Sequence, residues 1–315
     1  MVLVVHADLQ DNAGRMSQLL GLLGLSLLLG IVARRSGRFP AQTPLALNAF
    51  IIHVALPALV LREVHRLKLD PRLLVIALTP WLVFAGAWLL MRGVGPRLGL
   101  GPRSVAALVL TAGLCNTSFV GLPLIEALLG PEALPVALVV DQLGSFLALA
   151  TVAALFAARA SARDTHPRAL LWRVLTFPSF LALVAALLSR PWDWPGWLEV
   201  TLGRLGALLT PLALFTVGFQ LRLSGMKGRL RALTLGLGYK LVLAPLGVAL
   251  LLLGVPGLER MTFEATVLQA AMAPMVSGAI LAAEHDLDPE LSALMVGLGI
   301  PLSFATVPLT LWLMR

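Results

Sequence analysis

Two short stretches of this sequence combine polar side chains with residues that interrupt a helix. One reads Asn116-Thr117-Ser118-Phe119-Val120-Gly121-Leu122-Pro123, the other Pro274-Met275-Val276-Ser277-Gly278, and both lie inside apolar runs. Proline has no N–H, and its ring crowds the carbonyl four residues earlier, which for Pro123 is that of Phe119. Gly121 weakens the helix further, and the Asn, Thr and Ser side chains offer other partners to freed backbone groups. A half-helix that starts at such a break carries free N–H donors and roughly half a positive charge. Two such ends meeting could hold a carboxylate without a buried arginine. The chemistry is then non-covalent recognition of a small organic anion. Its candidate contacts are Asn116, Thr117, Ser118, Gly121 and Pro123 from the first stretch, and Pro274, Met275, Val276, Ser277 and Gly278 from the second. The competing reading is a pair of ordinary proline kinks. Their matching positions, and the Asn-Thr-Ser cluster at one of them, weigh against it.

Asp141 and Lys240 also fall inside apolar runs, where an ionisable group is expensive unless it is paired or faces water. They read either as coupling or substrate-facing groups, or as a static ion pair or snorkelling ends. His53 reads as a hydrogen-bonded packing residue, Glu126 and Glu284 as solvated helix ends, and Cys115 as a packing residue with no intrachain disulfide partner. No metal-ligand set, HExxH, paired intramembrane aspartates or GxxxxGK[ST] loop occurs, which argues against an enzyme and against ATP-driven pumping.

The elements that must position these residues are membrane helices. The chain of 315 residues is 58% hydrophobic and only 13% charged, with a mean hydropathy of +0.91. A soluble fold could not cover that much apolar surface, whereas a bilayer accepts it if the backbone closes its hydrogen bonds within helices. Ten runs are long enough to cross, near 16–34, 44–62, 72–92, 103–129, 134–158, 168–189, 196–220, 229–254, 262–284 and 289–314. The net charge of +8 sits at the ends of these runs, with no basic stripe interleaved with aromatics, so nucleic acid is rejected as a partner.

Basic residues around 34–38, 92–103, 159–173 and 222–231 outnumber those on the opposite side, which places that side in the cytoplasm and both termini outside. The expectation is a multi-pass protein of the cell's inner (plasma) membrane, its first helix an uncleaved insertion signal.

The pattern Glu126-x-x-Leu129-x-Pro131-Glu132 recurs as Glu284-x-x-Leu287-x-Pro289-Glu290. This divides the chain into repeats 1–160 and 161–315, joined at the polar stretch 159–168. Five spans per repeat make the second copy enter the bilayer from the opposite face. The fold expected is all-α, with ten transmembrane helices in two inverted five-helix repeats and helices 4 and 9 broken and crossing.

Three stretches carry a resemblance: NAFIIHVALPALVL in the second run, Asn116-x-x-x-x-Gly121-x-Pro123 in the fourth, and APMVSGAILAAEHDLDPEL in the ninth. Over nearly its whole length the chain resembles the auxin efflux carrier family, which includes PIN-FORMED carriers and bacterial organic-acid permeases. The resemblance implies the fold of the bile-acid sodium symporters, with a scaffold part at 14–66 and 168–222 and a transport part at 72–158 and 229–315. It implies an elevator-type secondary carrier in which Asn116 and the broken peptides beside Pro123 and Pro274 touch substrate. Na⁺ or H⁺ is the candidate coupling ion, and a homodimer through the scaffold part is the candidate assembly. Family members often carry an asparagine after the ninth-run proline, where this chain has Ser277 and Gly278. A sodium-coupled organic-anion symporter and a non-transporting membrane sensor are the alternatives.

Overall fold

The computed structural model describes residues 21–67, 70–162, 167–221, 226 and 228–315. The expectations that involve Lys68, Arg163, Arg222, Lys227 and the first residues of run 16–34 lie outside them. Helix α1 spans 21–36. Helices α2 (Thr43–His65), α3 (Arg72–Val94), α5 (Pro131–Ala160), α7 (Gly196–Gln220), α8 (Leu230–Leu253) and α10 (Pro289–Met314) are each long and apolar enough to cross a membrane. Between them lie α4a (Pro102–Ala112), α4b (Thr117–Leu129), α6a (Pro167–Leu175), α6b (Pro178–Ser189), α9a (Arg260–Ala271) and α9b (Val276–Glu284). The described residues contain no β-strand.

This is a multi-pass membrane fold, and its exposed faces explain the composition. Leu25, Leu28, Leu74, Leu89, Leu250 and Leu253 all project outward, acceptable against lipid and costly against water. The polar residues go the other way: Asn116, Thr117, Asp141, Gln142, Lys240 and Gln269 are all buried.

Small residues set the helix spacing. A Cβ on Gly30 would lie 2.1 Å from the Phe215 carbonyl oxygen, and one on Gly218 2.1 Å from that of Leu27, so α1 and α7 touch backbone to backbone. Arg34 completes the contact by donating to the carbonyls of Phe219 and Leu221 at the end of α7. Asp288 caps α10. Its carboxylate accepts from the Leu291 N–H, from Ser104 at 2.6 Å and from Arg229 at 2.7 Å, joining the starts of α4a, α8 and α10.

Both predicted interruptions exist, but the first lies earlier than the proline suggested. The chain leaves helical geometry after Ala112 and re-enters at Thr117, so Pro123 falls within the resumed helix. There it follows a π turn, Thr117–Gly121, whose wider hydrogen-bond spacing accommodates a residue without an N–H. What holds residues 113–116 out of the helix is the other broken span: Cys115 and Pro274 form an antiparallel bridge. The Asn116 N–H donates to Ala273 at 2.9 Å and the Met275 N–H to Leu114 at 3.2 Å. Pro274 therefore stands opposite Cys115, where alignment of the repeated pattern had set it opposite Asn116. The one-residue lag arises because α9a has 12 residues and α4a has 11. The π turn contains the extra residue that brings Glu126 and Glu284 back into register. The sixth run also differs from its expectation, for α6a and α6b are separated at Phe177, which is extended before Pro178.

Candidate functional site

The antiparallel bridge brings the starts of α4b and α9b together in the interior. Beside it lies a cavity of about 260 Å³. Asn116, Ser118 and Phe119 line it from α4b, Met275, Val276 and Ser277 from α9b, and Asp141 and Gln142 from α5. Its apolar wall comes from Ile52 and Leu56 of α2, Phe146 and Leu149 of α5, and Phe177. The lining continues along α9b to Glu284, so the cavity extends toward the end of the molecule where α5 finishes and α6a begins.

Asp141 stands at the start of α4b. Its Oδ1 accepts from the hydroxyls of Thr117 and of Ser118, the latter at 2.6 Å, and its Oδ2 accepts from Gln142 Nε2 at 2.6 Å. A π turn over Val140–Phe146 carries Asp141 and Gln142 on neighbouring positions of α5. Gly144 lets this turn seat on α3, since a Cβ there would meet the Pro80 ring at 2.5 Å. The positive end of α4b thus already has a carboxyl partner from its own chain.

The start of α9b has none from a side chain: Met275 precedes it in extended conformation with no side-chain cap. Helix geometry leaves the first N–H groups of α9b without acceptors inside the helix. Two buried polar atoms on the cavity wall are also without partners, Nδ2 of Asn116 and Oε1 of Gln142. Asn116 is only 2% exposed, so its free donor cannot be satisfied by bulk water.

The residues expected at the site therefore divide. Asn116, Ser118, Met275, Val276, Ser277 and Asp141 face the cavity. Gly121 and Gly278 serve the packing: a Cβ on Gly278 would sit 2.6 Å from the Leu110 carbonyl oxygen, and one on Gly121 2.2 Å from Gln269 Oε1. Thr117 reaches the cavity only through Asp141, while Pro123 and Pro274 shape the backbone. Asp141 and Lys240, weighed as an ion pair, bond to separate groups. Lys240 Nζ donates to the Ala270 carbonyl at 2.6 Å and to Cys115 Sγ at 3.0 Å. Cys115 is thus a hydrogen-bond partner as well as a packing residue.

Gln142, Phe177 and Glu284 are cavity residues that sequence reasoning missed or read otherwise. Phe177 stacks on Phe146 with ring centroids 4.0 Å apart, and the Phe177-Pro178 step was the signal that could have placed it. His53 does bond the Ala49 carbonyl, at 2.9 Å, although it is exposed and not packed. Glu126 accepts from Thr210 of α7 at 3.3 Å. Among the described residues no group of three or more His, Cys, Asp or Glu could hold a metal ion.

Interrupted helices around a buried polar cavity, in a multi-pass helical protein, define the class of membrane transporters. The chain belongs to the membrane transport protein family, the auxin efflux carrier (PIN-like) family that its motifs resemble, whose model matches residues 16–313. It is also 26% identical over 294 residues to an uncharacterized transporter of Methanothermobacter thermautotrophicus, covering 90% of this chain and 93% of that one.

Proposed function

We propose that this protein is a secondary carrier of a small organic anion, bound in the cavity between the two breaks. The observation that carries the reading is that the uncapped start of α9b and the unpartnered Nδ2 of Asn116 open into one buried space. An anion seated there would accept from the first N–H groups of α9b, the Ser277 hydroxyl and Asn116 Nδ2. Gln142 Oε1 is left as an acceptor for a donor on the guest. A volume of about 260 Å³ is at the small end for ligand sites, which run from about 300 to 1,000 Å³. That favours a small carboxylate over a bile-acid-sized substrate.

In this reading the chain is ten spans in two inverted repeats, 1–160 and 161–315, with scaffold and transport parts divided as the family resemblance implies. The wall then joins Ile52 and Leu56 of the scaffold to the broken helices of the transport part. Movement of the transport part against that wall would close the present opening and expose the site on the other face. With the positive-inside orientation, the side on which α9b ends is the cytoplasm, and this is an inward-facing state of an inner-membrane carrier.

The test is thermal stabilisation of the purified protein by a panel of mono- and dicarboxylates, followed by uptake of the best binder into proteoliposomes. Bound ligand raises the melting temperature by mass action. Asn116→Leu should leave the fold intact and abolish both the shift and the uptake. Normal uptake by Asn116→Leu would defeat this site, and binding without uptake would make the protein a sensor.

A further inference from the structure

We propose that the ammonium of Lys240 permanently fills the position a monovalent cation would take at the broken end of α9a, so that this carrier binds no sodium there. In a continuous helix the Ala270 carbonyl would accept from the N–H of residue 274. Residue 274 is proline and has no N–H to give. The Ala271 carbonyl would accept from Met275, whose N–H instead donates to Leu114 across the bridge. The break therefore strips donors from the last carbonyls of α9a, at the end of the helix that carries partial negative charge. Freed carbonyls at the end of a half-helix, deep in a membrane protein, are the groups with which carriers coordinate Na⁺.

Lys240 occupies that place. It is fully buried, at 0% exposure. Its Nζ lies 2.6 Å from the Ala270 oxygen, the carbonyl that Pro274 orphans, and 3.0 Å from Cys115 Sγ, at the centre of the bridge. Those two hydrogen-bond partners include no carboxylate, so the attraction that offsets burial of the ammonium comes from a helix end and a thiol. The π turn Tyr239–Leu243 aims the side chain. It sets Tyr239 toward α3, where the phenol donates to the Val83 carbonyl at 2.6 Å, and leaves Lys240 on the face toward α9a. A leucine or methionine at this position would pack without the cost of burying a charge. A tethered cation makes sense where a positive charge is required.

The inference does not depend on the substrate, and its test needs none. The full-length protein in detergent is melted in NaCl, LiCl, KCl and choline chloride at equal ionic strength. Wild type and Lys240→Arg should melt at the same temperature in all four salts. Lys240→Gln should melt several degrees lower in choline chloride and recover with a saturable dependence on NaCl or LiCl. A merely structural lysine would give a loss that no small cation restores.

A rise in the wild-type melting temperature with NaCl over choline chloride would overturn the proposal, as would a Lys240→Gln protein that melts alike in both. Should Lys240→Gln fail to fold, equilibrium binding of ²²Na⁺ to the wild type decides: about one bound ion per chain overturns it, and none supports it. The carboxylate screen and this salt series can fail independently.

Discussion

At the first break, the start of α4b faces a carboxyl group of its own protein, whereas at the second the start of α9b faces the cavity. Asp141 takes the hydroxyls of Thr117 and Ser118, and no side chain plays that part for Met275, Val276 and Ser277. The far ends differ as well. Pro274 removes the donor due to the Ala270 carbonyl, and Lys240 replaces it. The equivalent segment after α4a, Gly113-Leu114-Cys115-Asn116, has no proline and keeps all its N–H groups. The two breaks share a sequence pattern, but a side chain meets one helix start and leaves the other open. The spare donors are then the helix start at the second break and a single amide, Asn116 Nδ2, at the first, so ligand recognition should be asymmetric.

The largest effect should come from the glycines that let the breaks approach. A methyl group on Gly278 would meet a backbone oxygen, that of Leu110, which has nowhere to go. A methyl group on Gly121 would meet the far end of the Gln269 side chain, which can rotate away. Gly278→Ala should therefore cost about 3 kcal/mol of stability, at the upper end for overpacking, and Gly121→Ala about 1 kcal/mol. Melting of the two variants side by side checks this. Equal losses would mean that the two crossings are equally tight, contrary to the geometry.

Asp141→Asn tests the contrast more directly. The amide keeps hydrogen bonds to Thr117 and Ser118 but removes the carboxyl group from the start of α4b. If Asp141 competes electrostatically with the guest, carboxylate affinity should rise on the order of tenfold, about 1.4 kcal/mol. Titration calorimetry with the best carboxylate of the panel reads it. A loss of binding would instead make Asp141 a direct ligand, and the asymmetry between the breaks would then lie elsewhere.

Much of this arrangement was legible in the residues. Apolar run lengths located the six helices that are long and apolar enough to cross, and the prolines with their polar neighbours marked both interrupted helices. The position of the first break was not legible. Residues 113–116 contain no proline, and what keeps them out of the helix is pairing with Ala273 and Met275, a contact distant in sequence. The orphaned Ala270 carbonyl follows from Pro274 by counting four residues, but which side chain would answer it depends on how α8 packs. Gln142 was equally hidden. Its neighbour Asp141 drew attention as a charge, while a glutamine in an apolar run gives no sign of whether it faces lipid or a cavity. Gly121 and Gly278 were read as contacts to the guest because they lie in the interrupted segments, and a Cβ on either would run into a neighbouring helix.

The smallest effect expected concerns a site remote from both breaks, which makes it the control for the comparison. Gly130 and Asp288 occupy the same place in the repeated sequence pattern, each with positive φ (93° and 47°) just before the proline that starts α5 or α10. Glycine adopts that conformation at no steric cost, and aspartate tolerates it when its side chain bonds locally. Asp288 does so as the cap of α10 and as the partner of Arg229 and Ser104. Partial burial pushes its carboxyl upward, but the hydrogen bonds from Ser104, Arg229 and the Leu291 N–H outweigh that and hold it below the usual aspartate value. A group whose pKa is lowered by folding stabilises the fold above its unfolded value, near 3.9, and loses that contribution as pH falls through the folded value. Asp288→Gly keeps the backbone conformation and removes both the cap and the ion pair with Arg229, so together they should cost about 1 kcal/mol at neutral pH. The difference from wild type should shrink as the pH is lowered below about 4. Carboxylate-induced stabilisation and indifference to sodium should both survive the substitution, since neither break touches this corner. Loss of either would mean that the cap at Asp288 sets the geometry of α9b, and that the open break depends on more than its own residues.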